Sequence, residues 1–416
     1  MQCGLLGGKL GHSYSPQIHK QLASYDYCLF EKREDELESF LSSDLYSGLN
    51  VTIPYKKTVI PYCDVLSPIA QRLGAVNTLV RREDGKLVGH NTDYFGFSSM
   101  VVHSGLVPAG KKVLILGSGG ASNTAVAVMQ ELGADTVVIS RSGDNNYENL
   151  HLHSDAAIIV NATPVGTYPN NGVSPVDISL FPRLEGVLDL VYNPARTKLL
   201  LDAEDRGLVA ENGLWMLVAQ AKESAEWFSG SKFPDSKIAE IYNVLRRQME
   251  NIILIGMPGC GKSHLGKLLA EQTGKTFVDA DKEIELTAGC DIPTIFANRG
   301  EEEFRNLETQ VLAELGKRSG LLIATGGGCV TQHRNYPLLY QNGVMVWVQR
   351  DLALLPTDGR PLSQIGKLEQ MYTLRKPLYD RFSDIAVCNE KSPEDTVSAI
   401  VRELENYYEN PCNKRT

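Results

Sequence analysis

The sequence predicts an α/β protein of several domains with parallel sheets. Short apolar runs alternate with amphipathic stretches along the chain, which is typical of β-α-β units. Two of these runs lead into glycine-rich loops, at residues 117–120 and 256–263, and a helical stretch follows each loop. The chain has 416 residues. Because one hydrophobic core rarely grows past about 250–300 residues, we expect more than one domain.

The composition narrows the class of function. Hydrophobic residues make up 43% and charged residues 22%, as in ordinary globular proteins. The net charge of −9, without a block of lysine and arginine, argues against nucleic-acid binding. No apolar run approaches the ~18 residues of a membrane span, and the N-terminus lacks the basic segment of a signal peptide. The cysteines are scattered without a C-x-x-C pair, so we expect reduced thiols and a cytoplasmic protein.

Two stretches predict domain boundaries. Glycine and proline within residues 104–111 precede a strong strand, which indicates a domain change near residue 105. Residues 236–249 place apolar side chains on one helix face, and a strand begins at once at Ile252. The second half is therefore expected to start at about residue 250, with almost no linker before it.

The first glycine loop has the features of a dinucleotide site. A strand precedes it, a helix follows, and a second strand ends about twenty residues on. Its glycines allow a pyrophosphate to approach the helix N-terminus closely. Ser140, Arg141 and Ser142 stand where an NAD site places an acidic residue, and a guanidinium flanked by hydroxyls suits a 2′-phosphate. NADP is therefore predicted; Asp144 is an alternative acid for NAD, but it lies beyond the strand end.

Polar residues cluster in the turns of the first hundred residues. Ser13 and Ser15 precede a predicted helix and can either clamp a carboxylate or cap the helix. Asparagine and threonine are frequent in three more turns, within residues 48–56, 74–78 and 89–93. These turns indicate one acidic, polyhydroxylated ligand.

Lys56 and Asp93, in two of these turns, are candidates for proton transfer. A hydride-transfer enzyme that acts on an alcohol needs a proton-handling group beside the hydroxyl. A surface ion pair is the alternative interpretation of Lys56 and Asp93. We favour the catalytic one because both residues lie beside the other candidates.

Residues 1–249 contain eight motifs in a characteristic order. They are Ser13-x-Ser15-Pro, Asn50-Val-Thr-x-Pro-x-Lys56, Gly74-Ala-Val-Asn77-Thr, Asn91-Thr-Asp93-x-x-Gly96, Gly117-x-Gly-Gly-Ala, Asn161-Ala-Thr-Pro-x-Gly166, Asp189-Leu-Val-Tyr192-Asn-Pro194 and Gly213-Leu-Trp-Met216-Leu-Val-x-Gln220-Ala221. With these motifs the sequence resembles shikimate dehydrogenase over residues 1–249, in the family's order. The resemblance implies a discontinuous α/β substrate domain, residues 1–104 and 214–249, around a Rossmann-type NADP domain at 105–213.

The resemblance also implies roles for individual residues. Ser13 and Ser15 would hold the substrate carboxylate, and Lys56 with Asp93 would be catalytic. The residues implied to bind substrate hydroxyls are Thr52, Asn77, Asp93, Tyr192 and Gln220. The residues implied to bind NADP(H) are Gly117, Ser118, Gly119, Gly120, Ala121, Ser140, Arg141, Ser142, Leu190 and Gly213. In this sequence Ser140-Arg-Ser142 replaces the usual Asn-Arg-Thr, with the arginine kept.

The second glycine loop, from Gly256 to Ser263, is a complete G-x-x-x-x-G-K-S P-loop between a strand and a helix. Its amides would cradle phosphates, Lys262 would reach the β and γ oxygens, and the Ser263 hydroxyl would bind Mg²⁺. Cys260 within the loop is either a redox-sensitive thiol or an inert filler. The residues predicted to bind ATP are Gly259, Cys260, Gly261, Lys262, Ser263, His264 and Arg360.

Four features after the P-loop point to the phosphate acceptor. They are the alternating carboxylates Asp279 and Asp281, the helical pair Arg305 and Glu308, the glycines 326–328, and the arginines Arg360 and Arg375. Paired arginines suit a small carboxylate. These features resemble shikimate kinase from residue 250 to about 408. The resemblance implies a P-loop domain related to nucleoside monophosphate kinases, which we assign to residues 250–416.

By position, the kinase resemblance implies that Asp281 binds the acceptor hydroxyl as base and that Asp279 supports Mg²⁺ through water. Arg305 and Arg375 would hold the acceptor's carboxylate, with Gly327 against its ring. Arg360 would lie in a lid and neutralise charge on the transferring phosphate. Residues 352–359 lack the adenine-contacting arginine of the family's lid, which bears on ATP affinity or base preference.

The two resemblances predict consecutive steps on one metabolite: NADPH reduces 3-dehydroshikimate to shikimate, and ATP then phosphorylates shikimate. One alternative is a catalytically inactive, ligand-sensing regulatory protein. That alternative predicts loss of Lys56, Asp93, Lys262 or Asp281, and all four are present. Another is a quinate/shikimate dehydrogenase with NAD preference, which Ser140 and Arg141 disfavour.

Overall fold

The chain divides into two compact units. The structure is a computed structural model that describes residues 2–11, 13–355 and 365–409. The first unit comprises Met1–Tyr192 and Thr197–Val244, and the second comprises Asn193–Arg196 and Leu245–Thr416. Over the described ranges, no helix is both long and apolar enough to cross a membrane.

The first sheet of the first unit is mixed. Its strands run in the spatial order β2-β1-β3-β5-β6-β4. β5 is antiparallel to both β3 and β6, whereas the alternating pattern favoured parallel sheets. The polar turn 82–86, which connects β5 to β6, is so short that it can join only antiparallel strands. The elements are β1 (Gln2–Gly7), α1 (Ser15–Leu22), β2 (Asp26–Glu31), α2 (Leu37–Leu41), β3 (Gly48–Val51), β4 (Val65–Leu66), α3 (Pro68–Leu73), β5 (Thr78–Arg81) and β6 (Leu87–His90).

The second sheet of this unit is parallel throughout, in the order β11-β10-β9-β7-β8. Val113 and Ile115 pack into one apolar cluster, and Leu114 and Leu116 pack into another. Because alternate side chains of a strand point to opposite faces, both faces of the sheet are buried. Its elements are α4 (Asp93–Ser104), β7 (Lys112–Leu116), α5 (Gly120–Glu131), β8 (Asp135–Ile139), β9 (Ile158–Asn161), β10 (Gly186–Asp189), α6 (Lys198–Asp205), β11 (Val209–Asn212) and α7 (Leu214–Ser229).

The second unit is built on a third parallel sheet, in the order β13-β14-β12-β15-β16. The helix that leads into it, α8, begins in the first unit and ends in the second. The elements are α8 (Ser236–Met249), β12 (Asn251–Ile255), α9 (Lys262–Thr273), β13 (Thr276–Asp279), α10 (Ala280–Ala288), α11 (Ile292–Lys317, with a break at Gly300), β14 (Leu321–Ala324), α12 (Asn335–Tyr340), β15 (Gly343–Gln349), α13 (Ile365–Phe382), β16 (Ile385–Cys388) and α14 (Pro393–Glu409).

Both parallel sheets reverse their strand order at the strand before a glycine loop. β7 lies between β8 and β9, and β12 lies between β14 and β15. At such a reversal the neighbouring connections run in opposite directions, which leaves a crevice beyond the carboxyl end of the strand. The topology therefore places each glycine loop at the natural ligand crevice of its sheet.

Two candidate active sites

Three polar turns of the first unit meet at one edge of the first sheet. β3 and β6 are parallel to each other because each is antiparallel to β5. The turns that follow β3 and β6 therefore lie at the same edge as Asn77, which directly precedes β5. The order of the strands thus gathers residues that are distant in sequence.

Lys56 and Asp93 form a direct ion pair at this edge. The Lys56 Nζ lies 2.6 Å from Asp93 Oδ2, and the two side chains are 29% and 13% exposed. Asp93 is the first residue of α4, where the helix dipole favours a carboxylate. Both side chains of the ion pair are therefore partly exposed to solvent.

A buried network of hydroxyls and amides supports this edge. The Thr92 backbone N–H donates to Asn77 Oδ1 over 2.7 Å, and Asn77 Nδ2 donates back to Thr92 Oγ1 over 3.1 Å. Ser224 Oγ, which is fully buried, lies 2.9 Å from Thr92 Oγ1, 3.0 Å from Thr78 Oγ1 and 2.7 Å from Asn50 Nδ2. Sequence reasoning missed Ser224, although it lies one helical turn after Gln220 on α7 and thus on the same face.

Gln220 reaches the network through a long contact. Its Oε1 lies 3.4 Å from Thr92 Oγ1, and its Nε2 donates to the Leu217 carbonyl over 2.9 Å. α7 approaches α4 closely at Gly96, where a Cβ atom would lie 2.8 Å from the Met216 carbonyl oxygen. The glycine thus allows the helix with Gln220 and Ser224 to pack beside Asp93.

Ser13, Ser15 and Tyr192 form a separate group. Tyr14, between the two serines, packs edge-on against Tyr192 with ring centroids 6.2 Å apart. The Ser15 backbone N–H donates to Ser13 Oγ over 3.2 Å, and burial raises the pKa of Tyr192, so its hydroxyl stays protonated. Within the described part of the chain, no hydrogen bond joins this group to Lys56 or Asp93. Thr52 follows β3 at the same edge and binds through its backbone N–H to the Leu6 carbonyl.

The first glycine loop forms a cradle at the N-terminus of α5. Gly117 has a φ of 104°, in the left-handed region, and a Cβ there would crowd Thr163. Gly119 and Gly120 face open space, with Ser118 exposed and Ala121 half-buried beside them. Gly213 packs so closely that a Cβ atom would lie 2.2 Å from the Leu190 carbonyl oxygen. The loop therefore leaves room for a pyrophosphate against backbone amides.

Arg141 and Ser142 are exposed just past the end of β8, and Ser140 is half-buried. No acidic residue occupies these three positions. The donor set present at this strand end therefore fits a 2′-phosphate. Asp144, the alternative acid, lies four residues further on than Ser140, outside the strand.

The P-loop of the second unit borders a cavity of about 290 Å³, lined among others by Gly259, Lys262, Ser263, His264, Asp281 and Gly327. Gly256, Gly259 and Gly261 have positive φ angles that favour glycine. Lys262 Nζ donates to the Gly256 and Met257 carbonyls over 2.8 and 3.0 Å. Cys260 is fully buried, as the inert-filler interpretation requires.

The carboxylates after β13 meet the P-loop serine. Ser263 Oγ donates to Asp279 Oδ2 over 2.6 Å, and the Asp281 backbone N–H donates to Asp279 Oδ1 over 3.1 Å. Burial, followed by the neighbouring Asp279 charge, raises the pKa of the Asp281 carboxyl. Over the described ranges, no group of three or more His, Cys, Asp or Glu side chains could hold a metal ion. One hydroxyl and one carboxylate fit Mg²⁺ that takes its remaining ligands from water and phosphate.

The basic residues of the second site converge on the glycine turn after β14. Arg305 is buried and its Nη1 donates to Glu308 Oε2 over 2.8 Å. The Gly327 carbonyl accepts from Arg375 Nη1 at 3.1 Å and from the buried Tyr379 hydroxyl at 2.5 Å. Glu308 was named from the sequence beside Arg305 but without a role of its own, and Tyr379, four residues after Arg375, was not singled out. Arg360 lies outside the described residues.

Two protein-family models match parts of this chain. The family model for the shikimate dehydrogenase substrate binding domain matches residues 5–79, and the model for shikimate kinase matches residues 258–405. The shikimate dehydrogenase (NADP(+)) of Clostridium perfringens is 34% identical over 58% of this chain and 97% of its own length. The structure of shikimate dehydrogenase 1 from Peptoclostridium difficile has a TM-score of 0.55 and 39% identity, over 59% of this chain and 97% of that one.

A second solved structure carries ligands. Shikimate 5-dehydrogenase from Thermus thermophilus, in complex with NADP(H) and shikimate, has a TM-score of 0.54 and 29% identity over 59% of this chain and 99% of that one. The chain therefore belongs to the shikimate dehydrogenase family and carries a shikimate kinase domain in addition, so that it joins an oxidoreductase to a kinase in one bifunctional enzyme of the shikimate pathway.

Proposed function

We propose that the first unit reduces 3-dehydroshikimate to shikimate with NADPH. The ion pair of Lys56 and Asp93, 2.6 Å apart and partly open to ligands, carries this proposal. NADPH supplies the hydride when it is bound. Lys56 donates a proton to the carbonyl oxygen that becomes a hydroxyl, and Asp93 orients the ammonium and accepts a hydrogen bond.

The remaining dehydrogenase residues position the substrate and the cofactor. Ser13 and Ser15 bind the substrate carboxylate, while its hydroxyls bind to Thr52, Asn77, Asp93, Tyr192 and Gln220. The exposed Arg141, with Ser140 and Ser142, supports a preference for NADP(H) because a guanidinium pairs with the 2′-phosphate. The glycine loop 117–120 receives the pyrophosphate, beside Leu190 and Gly213.

The second unit phosphorylates shikimate from Mg-ATP. Asp281 and Lys262 line the same cavity, and this shared position supports transfer of a phosphate to a hydroxyl held by Asp281. Lys262 neutralises the phosphate charge, and Ser263 with Asp279 holds Mg²⁺. Arg305 and Arg375 bind the carboxylate, and Gly327 contacts the ring. The raised pKa of Asp281 suits a base that must accept a proton.

The test uses the purified full-length chain in two separate assays. Shikimate with NADP⁺ is expected to yield NADPH, and shikimate with Mg-ATP is expected to yield ADP. Absence of both products would overturn the proposal. Faster turnover with quinate and NAD⁺ than with shikimate and NADP⁺ would replace the first half of the proposal with the quinate alternative.

Single substitutions assign each activity to its site. Lys56→Ala should abolish only the dehydrogenase activity, with the exposed neighbour Lys57→Ala as its control. Asp281→Ala should abolish only the kinase activity, with Glu283→Ala on the same helix as its control. Loss of the other activity in either catalytic variant would mean that the two sites depend on each other.

A further inference from the structure

A cavity of about 320 Å³ lies in the first unit, apart from both candidate active sites. Its walls come from α3, α4, α5 and α7 and from the end of β6, and they include His90, Asn91, Phe95 and Glu223. Neither Lys56, nor Asp93, nor the glycine loop at 117–120 lines it. The volume falls within the range of about 300–1,000 Å³ that is usual for small-molecule sites.

Three buried polar atoms at this cavity have no hydrogen-bond partner. They are Asn91 Oδ1, Glu223 Oε2 and His90 Nε2. Asn91 is 1% exposed, and its Nδ2 donates to the Ala75 carbonyl over 3.0 Å, which fixes the orphan atom as an acceptor. His90 Nε2 lies 3.5 Å from Glu223 Oε1, too far for a good hydrogen bond. Orphan polar atoms are rare in native interiors, so each of these atoms is expected to bind either an ordered water or a ligand.

The surrounding residues define the chemistry of that partner. Phe95, Pro68 and Ile69 supply apolar wall. At the rim, Arg72 is already paired with Glu131 over 2.9 Å, and among the described residues the Glu223 carboxylate has only the His90 ring, 3.5 Å away, as an ion-pair partner. An ammonium group offers three donors and no acceptor, and so matches Asn91 Oδ1 together with Glu223 Oε2.

We propose that this cavity binds a small primary amine with an apolar body and thereby modulates the dehydrogenase. His90 and Asn91 directly precede Thr92, whose backbone N–H holds Asn77, and Asp93, which binds Lys56. Arg72 and Glu131 come from helices that pack against different sheets of the unit, α3 against the first and α5 against the second. An occupant of the cavity therefore contacts helices that pack on both sheets of the first unit, and also the turn that leads into Asp93.

Benzylamine is a suitable probe, and benzyl alcohol is the uncharged analogue that serves as its control. Calorimetric titration of the full-length chain should show binding of the amine at least tenfold tighter than that of the alcohol. Glu223→Gln should abolish this preference, and Glu131→Gln at the exposed rim should keep it. Ile69→Trp places a larger side chain in the cavity from its apolar wall. It should weaken binding of benzylamine although no charged group is removed.

The coupling is measured separately from binding. Saturating benzylamine should change the KM for shikimate by about fivefold or more, the lower end of ordinary allosteric coupling, and this effect should vanish in Glu223→Gln. Equal binding of amine and alcohol, or unchanged amine binding in Glu223→Gln, would overturn the site. Binding without any change in KM would overturn the modulation. Because binding is read without turnover, a chain that lacks dehydrogenase activity still tests the site.

Discussion

The Lys56 ammonium lies 2.6 Å from the Asp93 carboxylate although 37 residues separate them in sequence. Their turns follow β3 and β6, which meet at one edge because β5 runs antiparallel between them. Asp93 also begins α4, so its carboxylate lies beside both the helix N-terminus and the lysine. This carboxylate therefore holds the lysine in the position that the proposed proton transfer requires.

Asp93→Asn should lower the kcat of the dehydrogenase by about 10²–10⁴-fold, the usual contribution of a positioned acid/base group. The amide keeps the shape of the side chain but removes the charge that orients Lys56. Steady-state rates with shikimate and NADP⁺ measure the effect, and kinase activity of the same preparation is the internal control. A change below threefold in kcat would contradict the role given to the pair.

Arg141→Ala should raise the KM for NADPH by about 10–100-fold and leave kcat almost unchanged. A hydrogen bond to a charged group contributes about 1.5–3 kcal/mol, and each 1.4 kcal/mol is a factor of ten. The KM for NADH should not change, because NADH has no 2′-phosphate. Arg82→Ala, an exposed arginine of the same unit, is the control. An equal loss with both cofactors would show that Arg141 acts in some other way.

Ser224→Ala should raise the KM for shikimate more than it lowers kcat. The hydroxyl contacts Asn50, Thr78 and Thr92 in a buried network, and Thr92 in turn holds Asn77. Its loss leaves buried groups unsatisfied, which should reduce the free energy of unfolding by about 1–3 kcal/mol. The control is Ser229→Ala, which loses a hydroxyl bonded to the Ala225 carbonyl on the same helix. If both variants behave alike, the network does not position the substrate.

Gly327→Ala should lower kinase activity more than tenfold and spare the dehydrogenase. The added Cβ would lie 2.5 Å from Pro258 Cδ in the P-loop, and a proline ring cannot rotate away. The same substitution shifts the carbonyl that Arg375 and Tyr379 bind. We therefore expect weaker binding of both ATP and shikimate in titrations with each ligand alone. Unchanged affinity for both ligands would contradict this close packing.

Asp281→Asn should stabilise the second unit while abolishing kinase activity. The pKa of Asp281 is raised in the folded state, first by burial and then by Asp279. The contribution of this group to stability is therefore greatest below its unfolded pKa and is lost as the pH rises through the folded value. The variant should exceed the native protein in stability at pH 7.5 by more than at pH 4. Hydrogen exchange of the β12 amides reports this locally, and a gap that shrinks with rising pH would refute the assignment.

The sequence by itself determined the features that depend on local spacing. Short-range sequence patterns predicted both glycine loops, the helix at 236–249 and the α/β class. Each of these features depends on residues that are only a few positions apart in the chain. The expected reactions were inferred from the family resemblance, and the comparisons support the dehydrogenase and kinase families. The individual site roles and the domain bounds remain predictions.

Only the tertiary structure decided which residues meet. β5 runs antiparallel in the first sheet, so Asn77 reaches the same edge as Lys56 and Asp93. Ser224 enters the network from α7, and Tyr379 reaches the Gly327 carbonyl from α13. The cavity beside Asn91 likewise needs four helices to form. Such contacts arise from packing between elements that are far apart in the chain, so no local sequence pattern predicts them. A buried serine or tyrosine has the same local sequence pattern whether it contacts a functional residue or only the hydrophobic core.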